Sequence, residues 1–286
     1  MRRYWPIWRS DVPVTIIKLR LASLLLALGA LLSVQLVHAG TVQNVTAEGA
    51  CAIMGMSAEQ CALVALQRAR ASAIEQAAGI KVTSASLVTN MAVSVDFIKT
   101  YAKGLIVKEQ VTYLPLTQYQ KDEKTPPIPE YRVRIVADVS VPEVKIKPLG
   151  LQSKTNSLFY RNGEQAAIEV RTSRPARVAI FNITADDRVA LIFPNEHEKE
   201  NGISGNKPLL FPQKQSRVEL VMQTLPGHKR DTEAFFVAVV DEARPVDFMR
   251  LFSSTPTPLT TFFQQYSRIA DYCEDAVLPY EVVVPE

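Results

Sequence analysis

The residues best suited to chemistry in this 286-residue chain lie in two short polar segments. The first is 195–200, which reads Asn-Glu-His-Glu-Lys-Glu. Glu196, His197 and Glu198 offer carboxylate and imidazole groups, which are ligand types for divalent metals. Adjacent residues on one loop seldom converge on a single ion, and no second cluster of ligands stands out. The pattern therefore favours a solvated loop and leaves these three residues as weak metal candidates.

The second segment is 227–231, Gly-His-Lys-Arg-Asp. His228, Lys229 and Arg230 could contact an anion such as a peptidoglycan or lipid head group, although an exposed hairpin tip explains the same residues. His228 and Asp231 could belong to a hydrolase triad, but the sequence selects no serine to complete it. Neither a Gly-rich phosphate loop nor a Gly-x-Ser-x-Gly elbow is present. We expect no catalytic residue, no cofactor and no enzymatic activity.

Residues 1–39 have the features of a secretory signal peptide. Five basic residues precede the apolar run 21–37, and Val37-His38-Ala39 supplies a cleavage site. We expect cleavage between Ala39 and Gly40 and a periplasmic or extracellular mature protein. The alternative is an inner-membrane anchor over 16–37, although the uninterrupted run is shorter than the ~20 residues of a spanning helix.

Removing the signal peptide changes the charge of the chain. The chain has 32 basic and 29 acidic residues, of which five and one lie in 1–39, leaving 27 and 28. A net charge near −1 lacks the basic signature of nucleic-acid binding, so we expect no nucleic-acid partner.

Three cysteines, Cys51, Cys61 and Cys273, follow the predicted cleavage site. Their spacing favours a Cys51–Cys61 disulfide, which would stabilise the fold by about 2–3 kcal/mol. Cys273 is then free or buried near the C-terminus. The alternative is three small, buried thiols.

The periodicity of residues 40–147 predicts a small α+β domain. The strongest element is a helix over Ala58–Ala78, with Ser57 and Gln60 as a capping box and Gly79 as its terminator. Its apolar seam is mostly alanine, which lets it approach a sheet closely. We expect strands over 41–46, 80–89, 105–116 and 131–141, a hairpin loop over 121–129 and a second helix over 91–102.

Residues 148–155 are predicted to be a linker and 156–286 an antiparallel β-sandwich with a C-terminal amphipathic helix. In the helix, Thr257 is the expected cap and Pro258 the first residue. One face is an aromatic stripe that is expected to dock on the sandwich, formed by Leu259, Phe262, Phe263, Tyr266, Ile269 and Ala270. The predicted strands are 168–171, 177–183, 189–193, 217–222, 234–240 and 280–284.

Two parts of the chain resemble known families. The pairs Ala69-Arg70 and Ala73-Ile74, with Ala77, Gly79, Val82, Ser84 and Gly104-Leu105-Ile106, resemble the N-terminal module of flagellar assembly protein T and the LPP20-type lipoproteins. The segments 158–164, 179–183, 188–189 and 193–195 resemble the bacterial domain-of-unknown-function 4384 family of exported proteins. Asp187 stands where that family usually has glycine, so a different turn type is expected there. The second resemblance implies a fold and an envelope location but no activity.

These observations predict an exported, non-catalytic envelope protein of α+β class that acts as an interaction or assembly module. Its expected partners are other envelope proteins, with peptidoglycan or outer-membrane components as further candidates. The alternatives are a glycan- or peptidoglycan-binding module and a hydrolase with an unrecognised site.

Overall fold

The computed structural model describes residues 40–54, 57–79, 103–143, 145–205, 207–244 and 246–285, and these belong to one compact unit. In chain order the elements are β1 (Gly40–Ala52), α1 (Ala58–Ala78), β2 (Leu105–Tyr113), β3 (Thr117–Tyr119), β4 (Ile128–Val141), β5 (Gln152–Thr155), β6 (Phe159–Arg161), β7 (Ile168–Arg171), β8 (Ala176–Ile183), β9 (Arg188–Phe193), β10 (Gly202–Ile203), β11 (Leu209–Phe211), β12 (Arg230–Asp241), α2 (Phe248–Leu251), β13 (Thr257–Pro258), α3 (Leu259–Tyr266) and β14 (Cys273–Val283).

Helix α1 has the bounds and both ends that the sequence predicts. Ser57 Oγ accepts from Gln60 N at 3.1 Å, and Gln60 Oε1 accepts from Ser57 N at 3.1 Å, which completes the capping box. Gly79 ends the helix in the left-handed region at φ 65°. The predicted disulfide between Cys51 and Cys61 is present and ties β1 to the first turn of α1.

The four-stranded sheet has the order β1-β4-β2, with β3 paired to β4. Alternate residues of β4, from Val133 to Val139, are buried on one face, and α1 covers this face with a seam of Ala65, Ala69 and Ala73. A Cβ on Gly49 of β1 would collide with the backbone of α1 at Ala65 O and Ala69 N. The alanine seam therefore permits the close approach that the sequence predicts.

The second part of the chain is a sandwich of a seven-stranded sheet, β13-β9-β8-β12-β14-β6 with β10 on β8, and a three-stranded sheet, β11-β7-β5. One hydrophobic core, which includes Ile168, Val237 and Phe211, fills the space between them. The α+β class, with sandwich and C-terminal helix, is thus confirmed. Strand β6 departs from the antiparallel expectation, because it adds to β14 in parallel.

Helix α3 lies between the two predicted domains. Its Phe262 packs on Phe181 and Phe236 of the seven-stranded sheet, with ring centroids 4.8 Å and 5.5 Å apart. The helix also contacts β2, and residues of both segments share one hydrophobic cluster. The aromatic stripe therefore docks on the sandwich as predicted. The division into 40–147 and 156–286 stays a prediction.

Several local predictions need correction. Residues 217–222 form no strand and contribute one isolated bridge, Gln165 to Val221. The cap of α3 is Pro258 and not Thr257, because 257–258 pair with β9 as strand β13. The predicted linker 148–155 contains β5, and Glu274 accepts hydrogen bonds from the amides of residues 149–151 at 2.6–3.1 Å.

Some predictions lie outside the described residues. They are the signal peptide 1–39 with Ala39, the strand 80–89 and the helix 91–102. Gly40, on the other side of the predicted cleavage site, is the first residue of β1.

Candidate functional site

The sandwich is open along one side, where an edge of each sheet borders a cleft of about 510 Å³. Residues of β10, in the seven-stranded sheet, and of β11, in the three-stranded sheet, both line this cleft. Glu200, residues 202–204, 207–210 and 213–215 line it. The sequence analysis missed this place because β10 and β11 have two and three residues. The sequence feature that could have indicated a strand here is the apolar run Leu209–Phe211, which lies between Pro208 and Pro212.

The predicted metal-candidate loop borders this cleft. Asn195 Oδ1 accepts from the amides of His197 and Glu198 at 2.9 Å and 2.8 Å, which folds the loop into a tight turn. The turn buries Glu198 to 6% exposure, whereas Glu196 and His197 remain on the surface. A fully solvated loop was therefore wrong for Glu198.

Glu198 joins this turn to the segment after β11. Its Oε1 accepts from Gln213 N at 3.2 Å, and its Oε2 is buried without a hydrogen-bond partner among the described residues. No group of three His, Cys, Asp or Glu residues in the described part of the chain is arranged to hold a metal ion. The three residues of this loop are thus not brought together as ligands.

The second predicted segment is largely occupied by internal contacts. His228 Nδ1 lies 2.6 Å from Asp231 Oδ1, and Arg230 Nε lies 2.6 Å from Glu281 Oε1. Asp231 is only 3% exposed and also accepts from Leu225 N at 2.6 Å. Lys229 forms no ion pair with a described residue. Two of the three anion-contact candidates therefore hold the turn in place.

Beyond this turn, polar side chains on three neighbouring strands of the sandwich contact one another. Tyr280 Oη lies 2.6 Å from Glu233 Oε2 and 2.6 Å from Asn182 Oδ1. Burial raises the pKa of Glu233 to about 7, against the opposing hydrogen bond from Tyr280. The sequence analysis gave Glu233 no role and placed it just before the predicted strand 234–240, since its partners come from distant strands.

A second buried polar group joins α1 to the β8–β9 turn. The Arg70 guanidinium binds Glu109 of β2 and Asp187 of the turn, at 2.6 Å and 2.5 Å. Burial raises the pKa of Asp187, while Arg70 opposes the rise. Asp187 has φ 60°, the left-handed conformation that glycine adopts freely. Asp187 thus occupies the conformation that suits glycine and adds a carboxylate that Arg70 binds.

These groups do not form a catalytic arrangement within the described part of the chain. No hydroxyl or thiol there is hydrogen-bonded to the ring of His197 or His228. Cys273 is free and buried, and burial raises the pKa of its thiol to about 12, which opposes formation of a nucleophilic thiolate. The open cleft leaves room for another molecule.

Residues 159–230 match the model of a protein family described as a domain of unknown function, DUF4384. The match confirms the resemblance of the sandwich to that family and contains the cleft and the His228 turn. It ends at the first residue of β12, so α3 and β14 lie beyond it. The resemblance of the first segment to flagellar assembly protein T stays a prediction. The chain has no significant match among curated proteins.

Proposed function

We propose that the protein is an exported, non-catalytic module of the cell envelope that binds other envelope proteins. The observation that carries the proposal is the open side of the sandwich. Most polar groups of the His228 turn are committed to internal pairs, whereas the cleft has an open strand edge and charged side chains that form no ion pair with a described residue. A surface of this kind is suited to recognition rather than to bond making.

The Cys51–Cys61 disulfide supports the location. Disulfides persist in the periplasm and outside the cell and are rare in the cytosol. In the described part of the chain, no helix is both long and apolar enough to cross a bilayer. The predicted signal peptide supplies the export route, and the alternative is attachment to the inner membrane through residues 16–37.

Crosslinking in intact cells tests the proposal. The full chain, carrying a C-terminal affinity tag, is crosslinked before lysis and isolated under denaturing conditions. We expect defined adducts with envelope proteins, with the bulk of the protein in the periplasmic fraction. Turnover of a cell-wall or peptide substrate by the purified protein, abolished by one point substitution, would refute a non-catalytic role.

Glycan binding is the second candidate, and the lining of the cleft favours it. Ser204, Gln213 and Gln215 offer hydroxyl and amide groups of the type that hydrogen-bond sugars. Co-sedimentation with isolated sacculi separates the two functions. A protein-binding module should stay in the supernatant, whereas a peptidoglycan-binding module should pellet and be released by muramidase digestion.

A further inference from the structure

Strand β11 is the exposed edge of the three-stranded sheet. It pairs with β7 on one side, and no described residue pairs with its backbone on the other side. An unpaired edge presents alternating N–H and C=O groups that act as a template for another extended chain. The outer edge of β11 is therefore able to accept a further strand.

The cleft provides space for such a strand. Gly202 and Ile203 of β10, in the other sheet, line the same cleft, so an added segment would lie close to both sheets. Leu210 is 36% exposed and lines the cleft, whereas Leu209 and Phe211 contribute to the sandwich core. The edge thus offers one apolar side chain together with its hydrogen-bonding groups.

The charges around β11 select the chemistry of the partner. Lys207 and Lys214 lie on either side of the strand and line the cleft, and neither forms an ion pair with a described residue. Among the lining side chains, Lys207 and Lys214 outnumber the one carboxylate, Glu200. Lysines beside an edge disfavour pairing with a second copy that carries the same charges, and they favour carboxylates.

From these observations we infer that the outer edge of β11 binds an extended, acidic peptide segment of a partner protein as an added strand. Main-chain hydrogen bonds supply the binding energy in this mode, and side chains supply the selectivity. A glycan lacks the regular spacing of N–H and C=O groups that an edge strand matches. This inference rests on the proposed function and assigns its partner class and binding surface.

Site-specific photocrosslinking in cells tests the assignment. The full chain carries p-benzoylphenylalanine in place of Leu210, or in place of Lys124 in the exposed β3–β4 loop as a comparison position. We expect an adduct at position 210 whose partner segment, mapped by mass spectrometry, is rich in Asp and Glu and free of proline. The double substitution Lys207→Glu and Lys214→Glu should abolish the adduct, whereas Lys121→Glu and Lys124→Glu should leave it.

Hydrogen exchange of the purified protein tests directly whether a peptide adds to β11 as a strand. The probes are the peptide acetyl-Glu-Val-Asp-Val-Glu-Thr-amide and the same peptide with lysine at its acidic positions. At a saturating concentration, the acidic peptide should slow hydrogen exchange of those β11 amides that point away from β7 by about tenfold or more. The basic peptide should not slow it, and raised salt should weaken the effect.

Each remaining outcome overturns the inference in a recognisable way. Adducts at other surface positions but none at 210 would refute the β11 site and leave the proposed function in place. A partner segment that is basic, or that comes from a second copy of this chain, would refute the assigned chemistry. The absence of protein adducts at every position would refute the proposed function as well.

Discussion

The hydroxyl oxygen of Tyr280 lies 2.6 Å from Glu233 Oε2 and 2.6 Å from Asn182 Oδ1. A hydroxyl has one proton to donate, so it can serve only one of two acceptor oxygens. The second short contact requires another proton, which the Glu233 carboxyl can supply. The raised pKa of Glu233, about 7, agrees with a carboxyl that keeps its proton near neutral pH.

Glu233 should make stability depend on pH. Folding raises its pKa from 4.5 to about 7, so the folded state holds this proton more tightly than the unfolded chain between those values. The stabilisation is complete below pH 4.5 and is lost as the pH rises through about 7. The loss amounts to roughly 3 kcal/mol.

Urea titrations across this pH range measure the effect. The difference in unfolding free energy between the protein and Glu233→Gln should change in favour of the variant as the pH rises, because glutamine cannot ionise. Asp231 and Tyr280 are the other titratable groups that act on Glu233, so Tyr280→Phe serves as a second probe. A difference that is constant with pH would show that Asn182 presents its amide nitrogen to Tyr280 and that Glu233 is ionised throughout.

The Arg70 ion pairs should contribute strongly to the free energy of unfolding. The Arg70 side chain is 6% exposed, and its partners Glu109 and Asp187 are 11% and 13% exposed. Arg70→Met would leave two carboxylates buried without their cation, which costs about 3–5 kcal/mol. The measurement is the unfolding free energy in urea at neutral pH.

A surface ion pair provides the matched control. Arg134 binds Glu48 at 2.7 Å, but its side chain is 50% exposed, so Arg134→Met should cost no more than ~1 kcal/mol. Adding Glu109→Met and Asp187→Gly to Arg70→Met should recover much of the loss, since no unpaired charge then remains. Equal losses for Arg70→Met and Arg134→Met would contradict the buried-pair argument.

These cases show which parts of the structure the sequence could predict. Helix α1 was predictable in full because its signals are local: Ser57 and Gln60 are three residues apart, and Gly79 follows the last turn. The Arg70–Asp187 contact joins residues that are 117 positions apart in the chain. Nothing in the sequence around either residue indicates the other as its partner. Local sequence patterns cannot predict a contact between residues so far apart in the chain.

The candidate site likewise combines features that the sequence could predict with features that it could not. Sequence reasoning found the polar loop 195–200 but treated its residues alike, because only the Asn195 turn separates buried Glu198 from exposed His197. Strands β10 and β11 are too short for a periodic pattern. An open edge is a property of sheet order, and sheet order depends on long-range pairing.

The disulfide should be visible in thiol chemistry. With Cys51 bridged to Cys61, protein unfolded without reductant should label at Cys273 alone, and reduction should expose all three thiols. Replacing Cys51 and Cys61 by alanine should lower the unfolding free energy by about 2–3 kcal/mol, since a short loop is no longer closed. Three labelled thiols before reduction would mean that the bridge does not form.

Gly49 should be the least replaceable small residue of β1. A methyl group at this position would meet the carbonyl oxygen of Ala65 and the amide nitrogen of Ala69, both in the backbone of α1. Backbone atoms cannot rotate away as a side chain can, so Gly49→Ala must push the helix off the sheet. We expect a loss of about 1–3 kcal/mol in unfolding free energy, measured by urea titration with circular dichroism.

Gly202 of β10 is the matched control for that substitution, because a Cβ there has nothing within 4 Å. Gly202→Ala should change the unfolding free energy by less than ~0.5 kcal/mol. Ala65→Gly would not relieve the clash in Gly49→Ala, since the contact is with the backbone and not with the alanine side chain. A tolerated Gly49→Ala would therefore show that α1 lies farther from β1 than its alanine seam and the Cys51–Cys61 bridge indicate.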